Sequence, residues 1–435
     1  MTSRRFGRDV RTLVRVGDAR AGPIGLRRSP SPSVREHVVS DTRWFSVDVA
    51  QAMARDPHGV FARMREAGPV HPIVAPDGSP AWLVTRYADV QAGLGDARLS
   101  LSKAHAAPGR YRGFELPPAL DANLLNMDPP DHTRLRRLAG KAFTARRIEE
   151  MRPALEHAAG ALADDLDARE RVDLVNEFAT PFAVGVISEL LGVPDVSRAD
   201  FRTWTHAVLG ADATREGIRA TVREMYAFFV ALLAAKRADP GPDLLSALIA
   251  AREHEDRLSE EELTSLAFLL LFAGYENSAN LIAGSLLAAL SDDALRESVV
   301  ADPDTVTELV DEVARHMSPA LLAIRRFPIV DVELGGVTIP AGDTVFLSIA
   351  AANRDPRRYP QPDRVDLERA DSARNLSFGQ GIHYCIGAPL ARLEAQVAVR
   401  TILTRFPAAR QYAPTTWQPS VRVRGLAALP VEIRP

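Results

Sequence analysis

Cysteine occurs once in the 435 residues, at position 385, and lysine only three times, as Lys103, Lys141 and Lys236. A single cysteine excludes a disulfide within the chain, and with it the small secreted scaffolds that disulfides hold together. It also excludes a structural zinc site, which takes four protein ligands, since only His383 stands near it. The shortage of lysine beside abundant arginine reads as a coding bias and carries no functional information. Neither sign of charge dominates: Lys and Arg number 53 against 56 Asp and Glu, a net charge of −3. That balance argues against nucleic-acid binding through bulk basicity. No G-x-G-x-x-G follows a strand and no P-loop is present, so no nucleotide site is visible. The one long apolar run, Leu263 to Leu290, carries Glu276, Asn277 and Asn280 at its middle. A membrane span bears its largest penalty for charge there, and the chain reads as soluble and cytoplasmic, with no membrane segment.

A hydrophobic fraction of 46% and a charged fraction of 25% are those of an ordinary globular chain. Residues 1–40 are rich in arginine, with Pro23, Pro30 and Pro32 and no apolar run after the arginines. They read as a disordered basic tail rather than a secretory signal or transit peptide, ahead of one large unit over 41–435. Val70–Val74 and Ala81–Thr85 flank the turn residues Pro76-Asp77-Gly78-Ser79-Pro80, a hairpin pattern. Asp131–Leu138, Ile148–Leu166 and Arg215–Ala235 repeat apolar residues at three-to-four spacing and read as helices. Ser259 with Glu262 forms a capping box, so a helix begins there and runs to about Leu290. At ~1.5 Å per residue it would be roughly 45 Å long, apolar nearly all round and therefore central. A further helix opens at Asp302-Pro303 and stops before Pro319. Asp331–Leu334, Val337–Ile339 and Thr344–Ser348 read as a small β-meander. The fold class is mainly α with small β-sheets (α+β).

The decisive stretch is Phe378-Gly379-Gln380-Gly381-Ile382-His383-Tyr384-Cys385-Ile386-Gly387-Ala388-Pro389-Leu390-Ala391-Arg392. A lone cysteine is usually a packing residue. Here glycines at 379, 381 and 387 let the backbone bend toward a flat partner. Helix-forming sequence from Ala388 places the thiol just before a helix N-terminus, which favours thiolate over thiol. A single thiolate in such a turn suits one axial ligand of a metal already held by something else.

This run resembles the cysteine-ligand signature of the cytochrome P-450 family, the haem-thiolate monooxygenases, at every specified position of F-G-x-G-x-H-x-C-x-G-x-x-L-A-R. Glu312-Val313-Ala314-Arg315 resembles the family's E-x-x-R. Asn353-Arg354-Asp355 and Pro362-Asp363-Arg364 resemble its meander, with Val365 where phenylalanine is more usual. Asp128 to Arg136 resembles its C-helix entry in soluble bacterial members, and the likeness runs from about Trp44 to the C-terminus. The resemblance implies the P-450 fold, with a long central helix over haem b and Cys385 as the iron ligand. It implies haem contacts from Ala273, Gly274, Phe378, Gly379 and Gly387. Carboxylate contacts fall to His132, Arg136, His383 and to Arg326 rather than Arg325. Glu312, Arg315 and Arg364 become a structural network that holds the cysteine loop.

In the central helix Ala273-Gly274-Tyr275-Glu276-Asn277-Ser278 stands where the family has A-G-x-[DE]-T. Glu276 is then the acid that relays protons toward the site of O₂ reduction, or a carboxylate satisfied by an arginine. Asn277 departs from the family's threonine. Either its amide and a water replace the hydroxyl, or Ser278 or a substrate group supplies the donor, or the reaction needs less proton delivery, as oxidative aryl or phenol coupling does. By analogy the pocket is lined from 99–120, 201–235, Leu270, Ala273, 319–324 and 417–421. Its apolar character favours a bulky, lipophilic substrate with few charges, free or carrier-bound, and Ile386 to Glu394 resembles members that tailor polyketides and macrolides. The expected reaction is hydroxylation or epoxidation, with electrons from a separate ferredoxin and ferredoxin reductase docking near Arg134, Arg137, Arg357, Arg358 and Arg392. The enzyme is expected to be a monomer. The rival from another class, a non-catalytic haem-fold auxiliary protein, is disfavoured because Cys385 and its glycines are intact.

Overall fold

The longest apolar run of the sequence becomes the middle of the computed structural model, which describes residues 52–434 apart from 54, 76, 114–117, 142, 195–202, 205–214, 253–257 and 370. The basic tail lies outside the described residues. Helices carry most of the chain: α1 (Pro57–Ala67), α2 (Tyr87–Gly95), α3 (Asp131–Gly140), α4 (Arg152–Leu166), α5 (Thr180–Leu191), α6 (Arg215–Ala238) and α7 (Leu244–Arg252) come first. After them come α8 (Glu260–Gly274), α9 (Glu276–Ser291), α10 (Asp293–Ala301), α11 (Val306–Met317), α12 (Ile349–Asn353) and α13 (Ala388–Arg405). Small sheets use β1 (Val70–Val74), β2 (Pro80–Val84), β3 (Leu99–Ser100), β4 (Arg171–Asp173), β5 (Phe327–Pro328), β6 (Val332–Leu334), β7 (Val337–Ile339) and β8 (Thr344–Leu347). Helices with small sheets are the α+β class that the sequence implied.

The capping box is present. Ser259 Oγ accepts from the Glu262 amide at 3.0 Å, and Glu262 Oε2 accepts from the Ser259 amide at 2.9 Å. The helix it opens is not one rod, however. It breaks at Tyr275 (φ −104°, ψ −39°), giving α8 and α9 in place of a single span. Gly274 stands immediately before the break, and glycine is where a helix bends most cheaply. Both segments are buried on nearly every side, with Leu263, Leu266, Ile282 and Leu286 fully enclosed, so the apolar run serves as core.

The hairpin forms as read, with β1 and β2 antiparallel and Val74 opposite Pro80. The meander does not. β6 and β7 form a hairpin over Gly335 and Gly336, both at positive φ (56° and 76°), as a primed two-residue turn requires. The third segment, β8, leaves that hairpin and adds to β2 in parallel. Thr344, Val345 and Leu347 are fully buried, so β8 needs cover on both faces, which an edge of a two-stranded ribbon would not provide. The expected helix over 148–166 is likewise two pieces, Ala145–Glu150 and α4. These elements leave one deep cavity between α3, the α8–α9 break, the 319–326 segment and the loop before α13.

Candidate active site

The loop that presents Cys385 is closed by backbone bonds. The Cys385 amide donates to the Phe378 carbonyl at 2.8 Å, and the Gly379 amide to that of Leu376 at 2.8 Å. Gly379 and Gly381 sit at φ 72° and 74°, a region L side chains avoid. Gly387 does not; its φ is −86°, and an added Cβ would stand 4.0 Å from the thiol sulfur. That is an ordinary van der Waals contact, so neither the backbone nor crowding among the described residues requires glycine there. Arg392 clamps the far side, donating to Asp311 at 2.7 Å and lying 4.4 Å over the Phe378 ring.

Cys385 opens into a cavity of about 320 Å³, shared with Phe378, Gly379, His383 and Gly387 from the same loop and Ala273, Gly274, Asn277 and Ser278 from the central helix. The thiol is not lowered as the helix start suggested. Burial pushes it up, and the Gly387 and Ala388 amides with the charges of Arg136 and Arg392 only offset part of that. The protein's own groups thus leave a thiol; a coordinated metal cation is what deprotonates it outright.

One wall of the cavity is basic. His132, Arg136, Arg326 and His383 all line it, and the two imidazole rings lie 4.2 Å apart. Both ring nitrogens of His132 and Nε of Arg326 are buried without a hydrogen-bond partner among the described residues. The nearby carboxylate, Asp128, is taken by the Ser100 hydroxyl and by the Leu101 amide at 3.1 Å. Burial lowers Arg326 to about 10 and His383 to about 3, and it also holds His132 below its ordinary value. Buried donors without acceptors are costly. A planar group bringing two carboxylates to this wall and a metal to the sulfur satisfies all of them, and haem is such a group. Arg325 points elsewhere, donating to Asn126 Oδ1 at 2.8 Å.

Glu312 and Arg315 form the other basic centre. The pair is bidentate, with two bonds of 2.7 Å, and neither side chain is exposed. The arginine expected to complete it was Arg364, and this is corrected. Arg364 is exposed and contributes only its carbonyl, which accepts from Arg315 at 3.0 Å. The guanidinium on Glu312 is that of Arg369, at 3.0 Å. Arg364 occupies a turn whose backbone faces inward, so its side chain is directed to solvent, and the chain must run five residues further before an arginine faces the pair.

On the central helix, Ala273 and Asn277 are exposed to the cavity, and the Asn277 amide has no partner among the described residues. Gly274 serves packing as well as approach: a Cβ there would meet Ile187 of α5 at 2.8 Å. Glu276 is half-buried, no arginine reaches it among the described residues, and burial alone raises it to about 7. Glu276 is not on the cavity wall. The carboxyl that is there is Glu394 of α13, which the sequence reading did not include. It is almost fully buried with the Ser278 hydroxyl beside it, is raised to about 8 by burial, and has Oε2 without a partner among the described residues. The signal was available, since Glu394 falls four residues after Leu390 on the apolar face of its helix.

The distal part of the wall is Leu124, Leu125, Leu269, Leu270, Leu322 and Ile324. The 319–324 segment lines it as expected apart from Leu321, which is core. The described part of 201–235 and the 417–421 turn do not, and Trp417 instead lies under Arg424 at 3.5 Å. The arginines expected at a docking face are largely paired: Arg134 with Glu262, Arg357 with Asp355, Arg358 with Asp371 and Arg392 with Asp311.

A family model described as Cytochrome P450 matches residues 300–419. The chain is 42% identical over 392 residues to the cytochrome P450 monooxygenase PikC of Streptomyces venezuelae, covering 89% of this chain and 93% of that one. The chain belongs to the cytochrome P450 family. This P450 is also 40% identical to the mycinamicin IV hydroxylase/epoxidase of Micromonospora griseorubida, across 86% of this chain and 96% of its relative. Its backbone matches the tirandamycin C-bound P450 monooxygenase TamI with a TM-score of 0.82 at 38% identity, over 88% and 98% of the two chains. It is accordingly a monooxygenase, an oxidoreductase of the class that carries haem b, and Cys385, His132, Arg136, Arg326 and His383 are the residues that fit that group.

Proposed function

We propose that this P450 hydroxylates or epoxidises a bulky lipophilic scaffold of the polyketide or macrolide class, free or carrier-bound. The observation that carries the reading is the apolar distal wall standing opposite Cys385, with Asn277 as its polar exception. The relative named as a mycinamicin IV hydroxylase/epoxidase supports the same reaction type. Two electrons come from a separate ferredoxin and its reductase, and the enzyme is cytoplasmic and soluble.

Haem, when bound through the Cys385 thiolate, supplies O₂ activation. The rest is assigned to the chain's own residues. Leucines at 124, 125, 269, 270 and 322 exclude water and hold the substrate by burial. Ser278 and Glu394 store and pass a proton: a carboxyl raised to about 8 is protonated at neutral pH and donates through the serine hydroxyl. Glu276, raised to about 7, exchanges protons from the first turn of α9, off the cavity wall. Asn277 orients a water or a substrate group from within the cavity, the part a hydroxyl would otherwise take. A second reading, oxidative aryl or phenol coupling without oxygen insertion, rests on that same amide.

An optical titration of the ferric enzyme with macrolides, other polyketides, terpenoids and aromatic peptides tests the reading. A saturable low-to-high-spin shift with polyketides alone is expected. A shift confined to aromatic peptides contradicts it. Product formed under ¹⁸O₂ carries the label if oxygen is inserted and lacks it if the reaction is coupling.

A further inference from the structure

Asn277 is the polar residue of the distal wall that proton storage at Ser278 and Glu394 leaves unused. It is the second residue of α9, with cavity-lining Ala273 and Leu281 about one turn to either side. An asparagine near a helix start commonly turns its side chain back to a backbone amide. This one makes no hydrogen bond among the described residues and is exposed to the cavity. Its neighbours on that wall, Leu124, Leu125, Leu270 and Leu322 among them, present only hydrocarbon.

The other polar side chains on the cavity wall have a destination. Ser377 donates to the Ala314 carbonyl, and Ser278 stands beside Glu394. Gln380 also lines two clefts on the outer surface, one beside α2 and one beside Tyr384, so bulk water reaches it. The basic side chains fit the carboxylates of haem. Asn277 is left with two N–H donors and an acceptor oxygen in an apolar enclosure. A hydrocarbon filling that enclosure takes water from the amide and returns no hydrogen bond, which is costly. A molecule with an oxygen at that point restores the bond.

We infer that Asn277 is a specificity residue: it hydrogen-bonds a neutral oxygen of the substrate, carbonyl or hydroxyl, and so sets which carbons face Cys385. The inference deepens the proposed function and rests on its reading of the cavity as the substrate pocket. A carbonyl accepts from Nδ2 and a hydroxyl donates to Oδ1, so one amide serves either. The substrate class narrows from lipophilic scaffolds in general to those oxygenated on the edge that meets the central helix. With that oxygen held, the scaffold no longer turns freely, and oxidation falls at a fixed distance from it. An amide in place of a hydroxyl here then concerns recognition, while proton delivery stays with Ser278 and Glu394.

The test is binding of cyclododecane, cyclododecanone and cyclododecanol to the ferric holoenzyme, read as a spin-state shift or as displacement of bound 4-phenylimidazole. The three rings differ by one oxygen. A wall without a polar partner favours the hydrocarbon, because the ketone and the alcohol must give up water. The reverse order is expected, with both oxygenated rings binding about tenfold or more tightly than cyclododecane. Asn277→Leu should invert that order, Asn277→Ala should make the same comparison if the leucine variant does not hold haem, and Asn277→Thr should retain part of the preference. Turnover of cyclododecanone should oxidise one or two ring positions in the parent and more in Asn277→Leu. Cyclododecane binding as tightly as the ketone in the parent, or an order and product spread that Asn277→Leu leaves unchanged, overturns the inference and leaves the proposed function standing. Failure of all three rings to bind while a polyketide shifts the spectrum does the same. A ferric and CO-bound spectrum without thiolate ligation overturns the proposed function itself.

Discussion

Two groups of buried basic side chains flank the Cys385 loop, and they differ in one respect. Around Arg315 every donor has a destination: two go to Glu312, two to the carbonyls of Asn353 and Pro362 at 2.9 Å each, and one to that of Arg364. Around His132 and Arg326 the donors face a cavity: among the described residues both ring nitrogens of His132 and Nε of Arg326 lack acceptors, and Nη1 of Arg326 has only the Leu99 carbonyl at 3.3 Å. A completed network holds a fold, whereas an incomplete one of equal burial marks where a ligand's charges belong. The contrast separates structural from ligand-binding cations without reference to the motif either belongs to.

The largest effect that would break this contrast is expected at Arg315. Arg315→Ala leaves Glu312 buried with Arg369 alone and should cost ~3–5 kcal/mol, measured by denaturant unfolding, or prevent recovery of folded protein. Arg369→Ala should cost less, and Arg364→Ala should fall within about 0.5 kcal/mol of the parent, as for an exposed side chain. If Arg364→Ala equals Arg369→Ala, the network has been assigned to the wrong arginine.

On the other side, His132→Ala or Arg326→Ala should hardly alter unfolding of the chain. Each should speed transfer of haem to a scavenger such as apomyoglobin by about tenfold or more, the value of a lost charge-assisted bond. A stability loss comparable to that of Arg315→Ala would make the two groups alike and remove the distinction.

Intermediate effects are expected at the proton-holding pair. Ser278→Ala and Glu394→Gln should each divert electrons from product to peroxide several-fold, with Glu276→Gln having the smaller effect because that carboxyl is not on the cavity wall. Unaltered coupling in both Ser278→Ala and Glu394→Gln would return the role to Glu276. The smallest effect is on pH dependence. Glu394 is raised from 4.5 to about 8, so the folded state keeps a proton that the unfolded state releases. Its contribution to stability is complete below pH 4.5 and is lost as pH rises through about 8. Glu394→Gln should therefore gain melting temperature relative to the parent by a few degrees between pH 6 and 9, with the gain growing with pH.

Much of this was legible in the residues. The capping box at Ser259, the E-x-x-R pair and the glycine loop are local patterns, and each is where its spacing put it. What escaped depends on distant partners. β8 chose β2 over its sequence neighbours because burial on both faces decides a parallel strand. Tyr275 interrupts the central helix at Gly274, which Ile187 of α5 packs against. Arg369 rather than Arg364 meets Glu312 because a turn sets which side chain points inward. Glu394 was readable as a charge on an apolar helix face, but its pairing with Ser278 needs the fold. The direction of the Cys385 thiol was misjudged because helix-start amides are local, while desolvation is set by the whole cavity.

The account rests on the unsatisfied basic wall being the seat of two carboxylates beside a thiolate-ligated iron. Reconstitution with haem and with haem dimethyl ester, each followed by transfer to apomyoglobin, tests it most directly. The account predicts thiolate-type spectra for both and loss of the ester at least about tenfold faster. Equal retention of the two, with His132→Ala and Arg326→Ala indistinguishable from the parent, would contradict it.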